Sequence, residues 1–138
     1  MHRLWFLLWL ACAPAAAEDP KVAYWLHCAG CHRLDGSGAP PEVPTLIGEP
    51  GRIAMLPGGR EYLVRVPGVA QANIDDGQLA QVLNYMLETF SAESLPAGYP
   101  RFVPEEVGRL REAVLKDPLK RRAEILGSKR SDGRQSQS

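Results

Sequence analysis

Three kinds of hydrophobic pattern follow one another along the chain. The first is an unbroken apolar run, Leu4 to Ala11 (LWFLLWLA), set between a weakly basic His2-Arg3 and the small residues Ala15-Ala16-Ala17. The run falls short of the roughly 20 residues that a membrane-spanning helix needs, and its flanks are those of a secretory signal. Residues 1–17 are therefore expected to be removed on export. The second kind is helical periodicity. Asp19 can cap a helix starting at Pro20, where proline's missing N–H costs nothing, and Val22, Trp25 and Leu26 give it an apolar face. Asp75 can cap another helix: Gln78 completes a capping box, Ile74 and Leu79 form a hydrophobic staple, and Leu79, Val82, Leu83, Met86, Leu87 and Phe90 recur at helical spacing. After a Pro-containing connection over 91–103, the segment Pro104 to Leu115 predicts a third, with Val107, Leu110 and Val114 on one side. Asp117-Pro118 starts a fourth that ends before Gly127.

The third kind is the absence of a period. Residues 36–59 are rich in glycine and proline and read as a long loop wrapped around something large. Ser128 to Ser138 hold no apolar residue and are expected to be a disordered tail. Tyr62 to Val66 (YLVRV) is ambiguous, since β-branched residues favour a strand, and Pro67 ends whichever element forms.

Composition narrows the picture. A chain of 138 residues with 45% hydrophobic content has room for one folded domain. Sixteen basic residues face sixteen acidic ones, and removal of Arg3 with the leader keeps the balance near neutral, so no nucleic-acid partner is expected. Of the three cysteines, Cys12 lies in the leader, which leaves Cys28 and Cys31. Acylation of Cys12 would need a small-residue approach led by an aliphatic side chain. Trp9-Leu10-Ala11 precedes it instead, and membrane tethering is not expected.

The two remaining cysteines stand in His27-Cys-Ala-Gly-Cys-His-Arg-Leu-Asp-Gly-Ser-Gly38. A redox disulfide would sit in a strand-and-helix unit of the thioredoxin type, and nothing around Cys31 reads that way. A structural zinc site needs four ligands converging tetrahedrally, and His27, Cys28, Cys31 and His32 are too close along the chain to wrap one ion. Covalent haem attachment fits: two thiols add to the vinyl groups, and a histidine directly after the second thiol can reach the iron.

With these residues the sequence resembles the class I, mono-haem c-type cytochromes. Tyr24 stands four residues before Cys28, as the aromatic of the first helix does in Y-x-x-x-C-x-x-C-H. Asp35-Gly36-Ser37-Gly38 is similar to the turn after the haem histidine, and Pro44-Thr45-Leu46-Ile47-Gly48 to the P-x-L-x-G segment. The resemblance covers roughly residues 20 to 90, a span suited to one small domain. It implies an all-α fold wrapped around covalently bound haem c, a short helix over 62–66, and a last core helix that crosses the first with Tyr85 near Tyr24. The expected organisation is a leader (1–17), a haem domain (18–90), a C-terminal helical extension (91–127) and a tail (128–138). The extension is expected to cover the haem domain; a docking surface carrying Lys116, Lys120, Arg121 and Arg122 is the alternative.

The resemblance also implies site roles. Cys28 and Cys31 would hold the haem, His32 would be an axial ligand of its iron, and the Pro44 carbonyl would accept the His32 Nδ1 proton. Arg60, Tyr62 and Trp25 are candidates to hydrogen-bond the propionates. Arg60 leads, because it follows Gly58-Gly59 and can pair a carboxylate bidentately. The family's second ligand is a methionine in an M-P step; here the corresponding stretch is Arg65-Val66-Pro67-Gly68, and valine cannot ligate iron. Met55, on a glycine-bearing loop, is the first candidate to replace it; Met86, on a packed helix face, is the second. His27 adjoins Cys28 too closely to reach the opposite face. The expected function is a periplasmic or otherwise exported carrier of single electrons between a dehydrogenase-type donor and a downstream acceptor, and not an enzyme. The alternative is a haem protein with an open sixth iron position, acting as a gas or peroxide binder or as a small subunit of a redox enzyme.

Overall fold

The computed structural model describes residues 18–135, with side chains to residue 127, so the expected leader lies outside the described residues. Eight α-helices follow one another among them: α1 (Pro20–His27), α2 (Ala29–His32), α3 (Glu49–Ala54), α4 (Gly59–Arg65), α5 (Pro67–Ala70), α6 (Asp76–Phe90), α7 (Pro104–Arg111) and α8 (Pro118–Gln135). Among the described residues there is no strand, only an isolated bridge between Ala39 and Val43. The fold is all-α.

Local chemistry sets most of the helix ends. The Asp19 carboxylate accepts from the Lys21 N–H at 2.8 Å and Pro20 occupies the first helical position of α1. Asp75 accepts from the Gln78 N–H at 2.8 Å, while the Gln78 amide reaches out to Glu18 at 3.3 Å instead of turning back to close a capping box. Val66 is extended and Pro67 follows at the first position of α5, so one proline ends α4 and starts the next helix. Tyr62 to Arg65 of YLVRV are the helical end of α4, with Tyr62, Leu63 and Val64 buried together, and Val66 is its extended C-cap.

The core forms where α6 packs on α1 and α7, and α4 on α3 and α7. At the α1–α6 crossing Tyr24, Tyr85 and Phe90 make an aromatic cluster with ring centroids 5.2 to 6.2 Å apart, and the Tyr24 hydroxyl donates to the Arg33 carbonyl at 2.7 Å. The buried face of α1 is Ala23 and Tyr24, not the expected Val22, Trp25 and Leu26, of which Leu26 is 66% exposed. The short Ala23 lets the two helices approach, and Tyr24 finds both aromatic partners and an acceptor on that side.

Two boundaries differ from the sequence reading. Helix α7 ends at Arg111 instead of reaching Leu115, because the chain there bonds to α4: Leu115 N–H donates to the Arg65 carbonyl at 2.9 Å and Arg65 Nε to the Ala113 carbonyl at 2.6 Å. Helix α8 runs through Gly127 to Gln135, so 128–135 are helical instead of an unstructured tail. No proline interrupts this stretch, and Lys129, Arg130, Arg134 and Gln135 favour helix against the weaker Ser128, Ser131, Asp132 and Gly133. The connection over 91–103 is pinned to α6 by the buried Asn84, whose amide donates to the Phe102 carbonyl at 3.0 Å and accepts from its N–H at 2.8 Å.

Candidate functional site

Helices α1 and α2 meet at Cys28, which brings both cysteines and His32 to one corner of a cavity of about 450 Å³. The loop Pro44-Thr45-Leu46 forms the wall beside His32, Ile53, Leu63 and Val66 to Val69 line it from α3, α4 and α5, and Leu83 and Met86 from α6. Pro118, Leu119 and Arg122 of α8 complete the enclosure. The walls are predominantly aliphatic, as suits a large planar apolar group.

His32 Nδ1 lies 3.1 Å from the Pro44 carbonyl. A carbonyl only accepts, so Nδ1 carries the proton and Nε2 keeps its lone pair free for a metal. Burial lowers the His32 pKa, against the opposing pull of the Pro44 carbonyl, so its imidazole is neutral at pH 7. The loop is turned to meet the ring by Gly38 (φ +66°), where a Cβ would stand 2.6 Å from the Val43 carbonyl oxygen; only glycine closes that turn. Cys28 is half-buried and Cys31 exposed, both unbridged; burial and the neighbouring Cys31 push the Cys28 thiol up to about 11. Among the described residues, no three of His, Cys, Asp and Glu converge as a metal-ion nest.

The remaining candidates divide. Tyr62 lines the cavity and Met86 lines it from a buried position on α6. Met55, the first candidate for the sixth ligand, is 51% exposed and outside the lining, because α3 carries Ile53 and Ala54 inward and ends with Met55 turned to solvent. Arg60, the first candidate for the propionates, is also elsewhere. Its guanidinium pairs with Glu106 at 2.5 and 2.7 Å, donates to Tyr99, Pro100 and Arg101, and lies 3.9 Å from the Phe102 ring centroid. These partners use up its donors. Trp25 is exposed beneath the Lys21 ammonium.

Sequence reasoning assigned Arg122 only to an alternative basic surface. It faces the cavity beside Tyr62 and pairs with Glu49, and its buried Nε has no hydrogen-bond partner. The spacing of Leu119 and Arg122, one helical turn apart, was the available signal, but nothing in it said which face of α8 turns inward. An apolar cavity, two thiols and a free-handed imidazole at one corner, and an orphaned arginine donor on the α8 side fit a haem, which has an apolar macrocycle and two carboxylates.

An all-helical chain with this corner and cavity defines a small c-type cytochrome. Comparison with known proteins agrees at the level of sequence. The chain is 33% identical over 128 residues to a cytochrome c-552 of Thermus thermophilus, covering 80% of this chain and 85% of that protein. It is 32% identical over 117 residues to a second Thermus thermophilus cytochrome c-552, covering 72% and 88%. No family model matches. The chain belongs to the class I c-type cytochromes; its cofactor is covalently bound haem c, and it is an electron carrier working with redox partner proteins.

Proposed function

We propose that the chain carries single electrons in an exported compartment, from a dehydrogenase-type donor to a downstream acceptor, with haem c held by thioethers from Cys28 and Cys31 and its iron ligated by His32. The observation that carries this reading is the position of the C-x-x-C-H corner, at the edge of an aliphatic cavity, with His32 oriented by the Pro44 carbonyl. Haem supplies one-electron ferric/ferrous chemistry when bound. The chain's own residues bind it, exclude water from its faces through Ile53, Leu63 and Leu83, and leave an edge near the exposed Cys31 where a partner can approach. A carrier needs only such an edge and a weak, transient interface. No helix among the described residues is long and apolar enough to cross a membrane.

The sixth iron position separates this reading from a second one. Met86 is the methionine that lines the cavity and is its candidate ligand. The surface position of Met55 favours the other reading, in which the position is open and admits a small neutral gas. Spectra of the purified holoprotein, oxidised and reduced, with and without carbon monoxide, test both. A low-spin spectrum indifferent to carbon monoxide, with Cys28→Ala and Cys31→Ala each removing one thioether from the haem, is expected of the carrier. Rapid carbon monoxide binding by the wild type would overturn it in favour of the open site.

A further inference from the structure

Helix α8 contributes an arginine to the cavity that is only half satisfied. One end of the Arg122 guanidinium pairs with Glu49 of α3, at 23% and 28% side-chain exposure, while Nε is buried and has no partner. A buried donor left unpaired is costly, more so where the group is charged, so Glu49 does not fill the hydrogen-bonding capacity of this guanidinium. Both residues line the cavity, as does Tyr62 of α4, which packs against α8. The three form one electrostatic group. Burial raises the Tyr62 pKa, with Arg122 pulling it down and Glu49 pushing it up.

An acceptor for the remaining donor can be identified by chemistry. The macrocycle is tethered through its vinyl groups at the α1–α2 corner, and the polar substituents it still has to satisfy are two propionates. On the α3–α4–α8 side of the cavity, Arg122 is the cation of the lining, since Arg60 is spent on Glu106. We propose that Arg122 is the propionate-pairing residue of this cytochrome, its guanidinium shared between Glu49 and one haem propionate, with the Tyr62 hydroxyl as a second donor. This rests on the haem assignment made above. A guanidinium forks naturally between two carboxylates, which an ammonium does not. The C-terminal helix is then a working wall of the haem site that tunes its potential. Arg122 and Glu49 carry opposite charges, so their effects on the iron oppose.

The signs follow from charge. Ferric haem carries one more positive charge than ferrous haem, so Arg122 favours the reduced form and Glu49 the oxidised form. The test is the midpoint potential of purified holoprotein measured against pH for Arg122→Gln, Arg122→Lys and Glu49→Gln, with thermal melting alongside. The other titratable groups of the lining are His27, Glu42, Glu49 and Tyr62, besides Cys28, Cys31 and His32; all are retained in the arginine variants, and of them Glu49 and Tyr62 adjoin Arg122. Arg122→Gln is expected to lower the potential and to move the propionate-linked step in the pH profile upward, because the carboxylate loses its cation. Arg122→Lys restores part of both shifts. Glu49→Gln raises the potential and moves the step downward, and it decides the matter even if Arg122→Gln loads haem poorly. Wild-type profiles in Arg122→Lys and Glu49→Gln, with only melting altered, would overturn the proposal and leave the pair a structural tie. Absence of covalently bound haem in the wild type would instead overturn the cofactor assignment beneath it.

Discussion

The Tyr24 phenol is fully buried, donates to the Arg33 carbonyl, and touches the rings of Tyr85 and Phe90. Burial is the main cause that pushes its pKa from 10 up to about 12, with the free Cys28 thiol, Tyr85 and Asp35 adding to it; the Cys28 share falls away once that sulfur is a thioether. The sign of the linkage is fixed by that direction: the neutral phenol is the form the fold favours. Its stabilisation is therefore complete below about pH 10 and is lost as pH rises through about 12. Denaturant midpoints measured from pH 8 to 12 should fall in the wild type over the upper part of that range. Tyr24→Phe should lose a hydrogen bond worth about 1 kcal/mol at neutral pH and show a shallower alkaline decline. An unchanged alkaline slope in that variant would mean that other groups carry the dependence. At this scale the sequence was informative where neighbours along the chain define the role: Cys28, Cys31 and His32 are recognisable from five consecutive positions. It placed Arg122 only on an alternative basic surface, because its partner Glu49 lies 73 positions away.

Helices α3 and α4 pack in immediate succession, and Gly59 is the residue that permits it. A Cβ at Gly59 would run into the carbonyl of Ile53, a backbone group with no room to yield, although the glycine's own backbone is ordinary helix. Gly59→Ala should therefore force the two helices apart and lower stability by roughly 2–4 kcal/mol, against the gain of about 0.5–1 kcal/mol that the same change brings in an unhindered helix. A chemical denaturation midpoint equal to wild type would show that the α3–α4 turn relaxes freely. The sequence reading took the Gly58-Gly59 pair as support for Arg60 at the propionates; in the structure Gly59 lets α4 close on the Ile53 carbonyl. The capped α6 was legible because caps and a 3.6-residue stripe are local. The burial of α1 was not, because its inward face is chosen by the aromatic partners α6 presents.

Across the whole molecule, the segment after α6 returns over the haem domain and is held by long-range polar ties. Arg60 joins α4 to Tyr99, Pro100, Arg101 and Glu106, and Arg111 donates to the carbonyls of Ala70, Ala72 and Ile74. With Arg60 and Glu106 each only 20% exposed, removal of one partner leaves the other poorly solvated. Arg60→Met should lower stability by roughly 2–4 kcal/mol while leaving the midpoint potential near the wild-type value. A large potential shift with little loss of stability would return Arg60 to the haem. The additional helices thus form part of the same structure as the haem cavity, through Pro118, Leu119 and Arg122, in addition to lying over it.

By itself the sequence determined the haem-attachment corner and the capped helices, because each depends on residues a few positions apart whose geometry the local backbone dictates, and the family resemblance it carries implied the all-helical class. Only the tertiary structure decided which methionine and which arginine face the cavity and which side of α1 is buried. Those outcomes depend on pairings such as Arg60 with Glu106, 46 positions apart, and Arg122 with Glu49. Nothing in a local pattern distinguishes one exposed-looking arginine from another. Burial and charge pairing distinguish them once the chain has closed on itself.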